Sequence, residues 1–213
     1  MLRSIMIFVT LILMISINVS AQIVPIVDGF QMPFDGSYTQ TCEFGVYGDC
    51  FHSDQYHLAE DYDMPVVGTP IYACADGIVK EARESDGYGG IVLIEHRLSS
   101  GEYVVSLCAH MNNSLRPVSV DQEVFRGVTI IGYIADTGNN GGPYDPHLHF
   151  GVHKGNYDST PMYACNGGWR YQGYSYDDCV LSDWYDPSDF VASHPASSSI
   201  VGQFADGTIS QEI

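Results

Sequence analysis

An all-β domain is what this sequence predicts, and three observations carry that expectation. From about His57 to Val152 short apolar runs are punctuated by glycine, the runs recur at an even spacing, and no apolar stripe of helical period lies between them. Turn chemistry supports the same reading, because the breaks fall at glycine pairs and clusters that reverse an extended chain at low steric cost.

The elements follow in order. Arg3 supplies a short basic segment, Ile5 to Val19 an almost unbroken apolar run, and Val19-Ser20-Ala21 small residues suited to signal cleavage, so residues 1–21 are expected to be a signal peptide cut before Gln22. The run is shorter than the roughly 20 residues of a spanning helix, and no basic stop-transfer cluster follows it. The expected location is therefore secreted or periplasmic, with no stable membrane insertion after cleavage. No cysteine stands at the cut, which argues against a lipid anchor.

Residues 22–56 are turn-rich and aromatic and read as an irregular lead-in, broken by Pro25, Pro33, Gly36 and Gly48. Six strands are expected next: Pro70–Cys74, Gly77–Ala82, Gly90–His96, Tyr103–His110, Glu123–Ile134 and His147–His153. Turns separate them at Asp76-Gly77, at Gly87-Tyr88-Gly89-Gly90, at Ser99-Ser100-Gly101 and at Asn139-Asn140-Gly141-Gly142. The cluster at 87–90 lacks the Lys-Ser/Thr of a phosphate loop and a following helix, so it reads as a hairpin. Residues 154–183 form a tyrosine-rich insertion closed by Cys165 and Cys179. A short ordered stretch after Asp186-Pro187 ends the domain, 57–191, and the serine-rich tail 192–213 is expected to be disordered.

With 26 acidic against 8 basic side chains the formal charge is −18, which argues against nucleic acid or an anionic membrane as partner. Six cysteines, an even count in a chain expected to be exported, suggest disulfides, with fifteen connectivities open. Short loops favour Cys42–Cys50 and Cys165–Cys179, leaving Cys74 with Cys108. No CxxC pair has metal-ligand spacing, so a cysteine zinc site is not expected.

Chemistry-bearing residues stand out by spacing. His147 and His149 lie two apart in an apolar strand, so both face one side about 6–7 Å apart. His57 and Asp61 offer an imidazole and a carboxylate, but four residues of straight strand span about 13 Å, so the segment must bend for the two to share a metal. His110 closes a strand, where a histidine is usually a satisfied structural group.

Taken together, these blocks resemble a known family. His57-Leu58-Ala59-Glu60-Asp61, the run Gly68 to Val79, Tyr88 to His96, Leu107-Cys108-Ala109-His110-Met111, Gly132, Thr137-Gly138 and Pro146-His147-Leu148-His149-Phe150 are similar, in order, to the lysostaphin-type (LytM-like, beta-lytic) zinc metallopeptidases. The resemblance runs from about residue 55 to 153, with a weaker echo at Asp186-Pro187. It implies a compact antiparallel β-sheet domain with an active-site groove, one Zn2+ held by His57, Asp61 and His149, and catalytic His110 and His147. It implies a secreted endopeptidase acting on peptidoglycan peptides. The insertion 154–183 follows directly after the strand of His147 and His149, so it is expected to form one wall of the groove.

Four positions depart from the family pattern. Ala59 replaces a glycine, Cys108 an aromatic residue, Cys74 a small residue, and Gly151 a frequent glutamate; the two cysteine changes suggest a disulfide between core strands. None removes a ligand. A non-catalytic wall-binding or hydrolase-activating module of the same fold is the alternative function, and a surface adhesion protein using its fifteen tyrosines is a third.

Overall fold

Residues 22–48, 54–160, 170–171 and 173–196 are described by the computed structural model. The signal-peptide reading of residues 1–21, Cys50, Cys165 and tail residues 197–213 lie outside the described residues.

Among the described residues, strands dominate. They are β1 (Thr39–Cys42), β2 (Tyr56–His57), β3 (Glu60–Asp63), β4 (Pro70–Tyr72), β5 (Gly77–Ser85), β6 (Gly89–Arg97), β7 (Tyr103–Met111), β8 (Glu123–Val124), β9 (Ile130–Tyr133), β10 (His147–Lys154), β11 (Tyr174–Ser175) and β12 (Trp184–Tyr185). A 3-10 helix covers Asp178–Asp183, and one short helix, α1, covers Pro187–Ser193. The main sheet runs β1-β3-β10-β7-β6-β5-β8, with β12 also paired to β10; β2 with β11 and β4 with β9 make two small ribbons. Every strand pairing is antiparallel.

Three expectations need adjustment. The run Glu123–Ile134 is not one strand: β8 joins β5 while β9 joins β4. The break lies at Arg126-Gly127, where the Arg126 amide donates to Asp76 Oδ1 and Gly127, at φ 62°, donates to the Ala73 carbonyl. Secondly, Cys74 and Cys108 are free thiols, not a disulfide. Both are buried in one apolar cluster, Cys74 Sγ lies 3.8 Å from His96 Nε2, and burial pushes its thiol up to about 11. The last difference concerns α1, which extends past Val191 to Ser193, with Pro195 bridging to Phe30. Its start follows from Pro187 in the first turn and from Asp186, whose carboxylate accepts from the Asp189 amide.

The sheet is covered on both faces. One cluster gathers Met64, Ile71, Val92, Ile94, Leu148, Phe150 and Phe190; the other gathers Leu58, Ile91, Leu93, Leu107, Ala109, Val180 and Trp184. Strand β6 contributes to both, so Gly89 to His96 are all buried, and Gly89 to Ile94 read as a continuous apolar run. A buried carboxylate ties α1 to β3: Glu60 accepts from Tyr62 Oη at 2.7 Å, Ser188 Oγ at 2.8 Å, Gln40 Nε2 at 3.0 Å and the Ser188 amide at 3.1 Å. Four donors offset the cost of placing that group where it is 1 % exposed.

Candidate metal centre

Strand β10 is the spine of the site. Its alternation points His147 and His149 to the face that carries Leu107 and Ala109, and its pairing sets His149 opposite Asp61 of β3. His149 Nδ1 stands 2.8 Å from Asp61 Oδ1. His57 reaches the same point because the chain turns between β2 and β3, which belong to different sheets. That turn at Leu58-Ala59 brings His57 Nε2 to 3.4 Å from Asp61 Oδ1 and 3.2 Å from His149 Nδ1.

Three donor atoms therefore face one another at 2.8, 3.2 and 3.4 Å. Ligands on a tetrahedral zinc, bound at about 2.0–2.1 Å, stand roughly 3.3–3.4 Å apart, so the set needs to widen by only a few tenths of an ångström to hold one. The chemistry agrees with the spacing: two imidazoles and a carboxylate are zinc ligands, and His57 Nδ1 donates to the Glu43 carbonyl at 3.0 Å, which turns its Nε2 lone pair inward. Asp61 Oδ2 and His149 Nε2 are buried and have no hydrogen-bond partner among the described residues. The residues fit the metal.

His110 arrives by a bulge. Cys108 faces Val92 and Met111 faces Gly90, so Ala109 and His110 on β7 stand against Ile91 alone on β6. Strict alternation would carry His110 to the opposite face from Ala109. The extra residue, with His110 at φ 61°, instead delivers its ring to 4.3 Å from that of His147 and 5.8 Å from that of His149. Backbone carbonyls orient both rings: His110 Nδ1 donates to Asn140 O at 2.7 Å, and His147 Nδ1 donates to Asp145 O at 2.7 Å. A carbonyl only accepts, so each Nδ1 carries the proton and each Nε2 is left to act.

Burial governs the electrostatics. It pushes His110 down to about 3, helped by His147 and His149, and it pushes His149 down to about 4 against the pull of Asp61. Burial would raise Asp61, but His149 and His57 overcome it and hold the carboxyl well below the usual range. Asp61 is thus an anion, and His110 a neutral base, at physiological pH.

The structure brings together all five sequence-selected side chains, His57, Asp61, His110, His147 and His149. It adds neighbours that the sequence did not assign to the site. Cys42, on β1, has its sulfur within 4.8 Å of the His57 and Asp61 donor atoms. Tyr88 stacks on His110 with centroids 5.8 Å apart and lies edge-on to His149 at 5.9 Å. Tyr174, from the insertion, stacks on His57 at 4.8 Å and on His149 at 5.7 Å. Only their aromatic character was visible beforehand, Tyr88 inside a hairpin turn and Tyr174 among many tyrosines. Gly151 also gains a reason: a Cβ there would lie 2.8 Å from the Trp184 ring, which packs on the strand where a glutamate would stand.

A cavity of about 570 Å³ adjoins the centre without containing it. Tyr88 is shared between the two, and Glu81, Arg83, Ile91, Arg170 and Tyr171 line the rest.

Comparison with known proteins adds the following. Residues 55–161 match peptidase family M23. The chain is 36 % identical over 99 residues to DD-carboxypeptidase/endopeptidase Mpg of Neisseria meningitidis serogroup B, a match covering 46 % of this chain and 20 % of that protein. It is 35 % identical over 103 residues to peptidoglycan DD-endopeptidase ShyC of Vibrio cholerae serotype O1, covering 46 % and 21 %. The chain thus spans about a fifth of the length of these relatives. Among solved structures, LytU is similar in fold, with a TM-score of 0.51 at 23 % identity over 76 % of this chain and 90 % of that one.

Proposed function

The chain belongs to peptidase family M23, and we propose that it is an exported zinc endopeptidase that hydrolyses peptide cross-links of bacterial peptidoglycan. The observation that carries this is the convergence of three inward-facing donor atoms with two histidines whose Nδ1 atoms are tied to backbone carbonyls. His57 Nε2, Asp61 Oδ1 and His149 Nδ1 hold one zinc per chain. Zinc bound there supplies a polarising charge for the scissile carbonyl and lowers the pKa of a water towards about 7.

The remaining chemistry belongs to this chain's own side chains. His110 and His147 work through Nε2, which takes a proton from the attacking water or returns one to the leaving amine. Their carbonyl tethers stop the rings from flipping and so keep the proton on the atom away from the reaction. Burial keeps His110 unprotonated at neutral pH, so its Nε2 lone pair is free of a proton although its basicity is reduced. Cys42 stays out of the ligand set because its sulfur is committed to a disulfide with Cys50; a second disulfide, Cys165–Cys179, closes the insertion. The relative named as a peptidoglycan DD-endopeptidase supports a cell-wall peptide as substrate. It lies in a groove of which the cavity beside Tyr88 is one arm and the insertion one wall.

Elemental analysis of the purified protein and its His149→Ala variant, alongside turbidity clearing of purified sacculi, tests the proposal. About one zinc per chain and clearing in the wild type, both lost in the variant, are expected. A wild type that takes up no zinc on reconstitution would remove the catalytic reading and favour a wall-binding module.

A further inference from the structure

His110 and His147 must aim two Nε2 atoms at one reacting centre. The bonds from their Nδ1 atoms to the Asn140 and Asp145 carbonyls fix which nitrogen carries the proton. A bond at Nδ1 leaves the tilt of the ring plane to whatever packs against it, and tilt moves the far atom, Nε2, the most. The two rings lie 4.3 Å apart at 42°, neither stacked nor edge-on, so their mutual contact does not by itself prefer that angle.

Tyr144 supplies the missing wall. Its ring meets His110 at 5.4 Å and 68°, and His147 at 6.1 Å and 84°, edge-to-face with both. Edge-to-face contact is directional, because the positive edge of one ring seeks the negative face of the other. Tyr88 adds a nearly parallel ring against His110, at 17°.

The loop 140–145 builds this contact together with both carbonyl tethers. Asn140 is fully buried; its side-chain amide donates to the Tyr144 carbonyl at 2.9 Å, and its Oδ1 accepts from the Gly142 amide at 3.3 Å. Gly142 leaves room for the tyrosine ring: a Cβ there would come within 2.5 Å of it, so a side chain at this position would push Tyr144 off the histidines. Core packing does not account for Tyr144. It is half-buried and belongs to neither apolar cluster of the sheet.

We propose that Tyr144 is a positioning residue for the reaction: its ring holds His110 and His147 at the mutual angle from which both Nε2 atoms address one centre. This rests on the peptidase reading for the reaction served, whereas the ring geometry is a property of the fold. The ring does this work and the hydroxyl has no part in it. Misaimed catalytic groups slow the chemical step and leave substrate binding alone, so the effect falls on kcat.

Full-length zinc-loaded protein, as wild type, Tyr144→Phe and Tyr144→Ala, tests this. On a soluble cross-linked muropeptide, Tyr144→Ala should lower kcat by about 10–100-fold, with KM within about twofold and zinc at the wild-type level. Tyr144→Phe should stay within about twofold of the wild type. Nitrogen-15 NMR of the imidazoles gives a readout independent of turnover. For both histidines the wild type and Tyr144→Phe should show a protonated Nδ1 and a bare Nε2, whereas in Tyr144→Ala the two resonances should draw together as the rings leave their carbonyls. A wild-type spectrum in Tyr144→Ala would overturn the proposal. So would an equal loss of kcat in Tyr144→Phe, which assigns the work to the hydroxyl, or a raised KM at unchanged kcat, which makes Tyr144 a substrate contact. A protein that cleaves nothing in any form sinks the peptidase reading instead, and the nitrogen spectra still decide the role of Tyr144.

Discussion

His110 stands on the working face because β7 holds one residue more than its partner, and its main-chain angle of φ 61° is in a region that residues with a Cβ seldom occupy. Replacing it separates binding from chemistry: His110→Ala should keep zinc at the wild-type level yet lower muropeptide hydrolysis by about 10²–10⁴-fold. Loss of zinc in that variant would mean that the ring organises the ligands instead. A second residue-scale expectation concerns His96, fully buried between the Asp76 carbonyl and Ser106, where burial pushes it down to about 4. Between about pH 4 and its ordinary value near 6.5 the unfolded chain binds a proton that the folded one refuses, so stability rises with pH across this window and is lost as pH falls through it. The loss is about 3 kcal/mol for this one ring. Urea midpoints of His96→Gln should fall less than the wild type's from pH 6.5 to 4; equal slopes would show that other groups set the acid limit. At this scale the sequence was legible where spacing carried meaning, as in His147 and His149. It was silent on the carbonyls of Asn140, Asp145 and Glu43 that orient the rings, because a main-chain acceptor has no signature in residue type.

Among the elements, two glycine-rich segments that look like independent turns prove to be one device. Gly89, at φ 65°, packs on the Asn140 backbone, and an added Cβ would lie 2.6 Å from that carbonyl carbon. Asn140 is fully buried, its amide donates to Tyr144 O at 2.9 Å, and its carbonyl holds His110. Gly89→Ala should therefore cost about 1–3 kcal/mol of stability and shift the His110 ring as well. Both effects are checked by thermal melts beside zinc content and hydrolysis. Intact activity at lowered stability would show that the turn supports the fold alone. The strands from β4 to β7 and β10 were readable because their apolar runs are long. β2, β3, β11 and β12 were not, since two to four residues such as Glu60-Asp61-Tyr62-Asp63 look polar when their burial depends on partners far along the chain. The split of β8 from β9 was invisible for a related reason: only the Asp76 carboxylate and the Ala73 carbonyl, both distant in sequence, fix the break.

On the scale of the whole molecule, 26 acidic side chains face 8 basic ones, and among the described residues Lys80 pairs with Glu95 and Arg170 with Asp158. Repulsion among the rest predicts that added salt stabilises the fold: raising sodium chloride from about 20 to 300 mM should lift the unfolding free energy by about 1 kcal/mol. A lower urea midpoint in salt would show that the ion pairs outweigh the repulsion. The all-β character was legible at this scale from the spacing of turns, whereas the order β1-β3-β10-β7-β6-β5-β8 was not, because pairing depends on register between segments up to about a hundred residues apart. That order has a consequence in time. Asp61 and His57 sit beside a strand that the ribosome supplies some ninety residues later, and Tyr174 follows later still. A nascent chain holding only β1 to β7 has two of the three ligands and lacks the strand that brings the third. The metal centre would thus come into being only once β10 has left the ribosome and paired with β3.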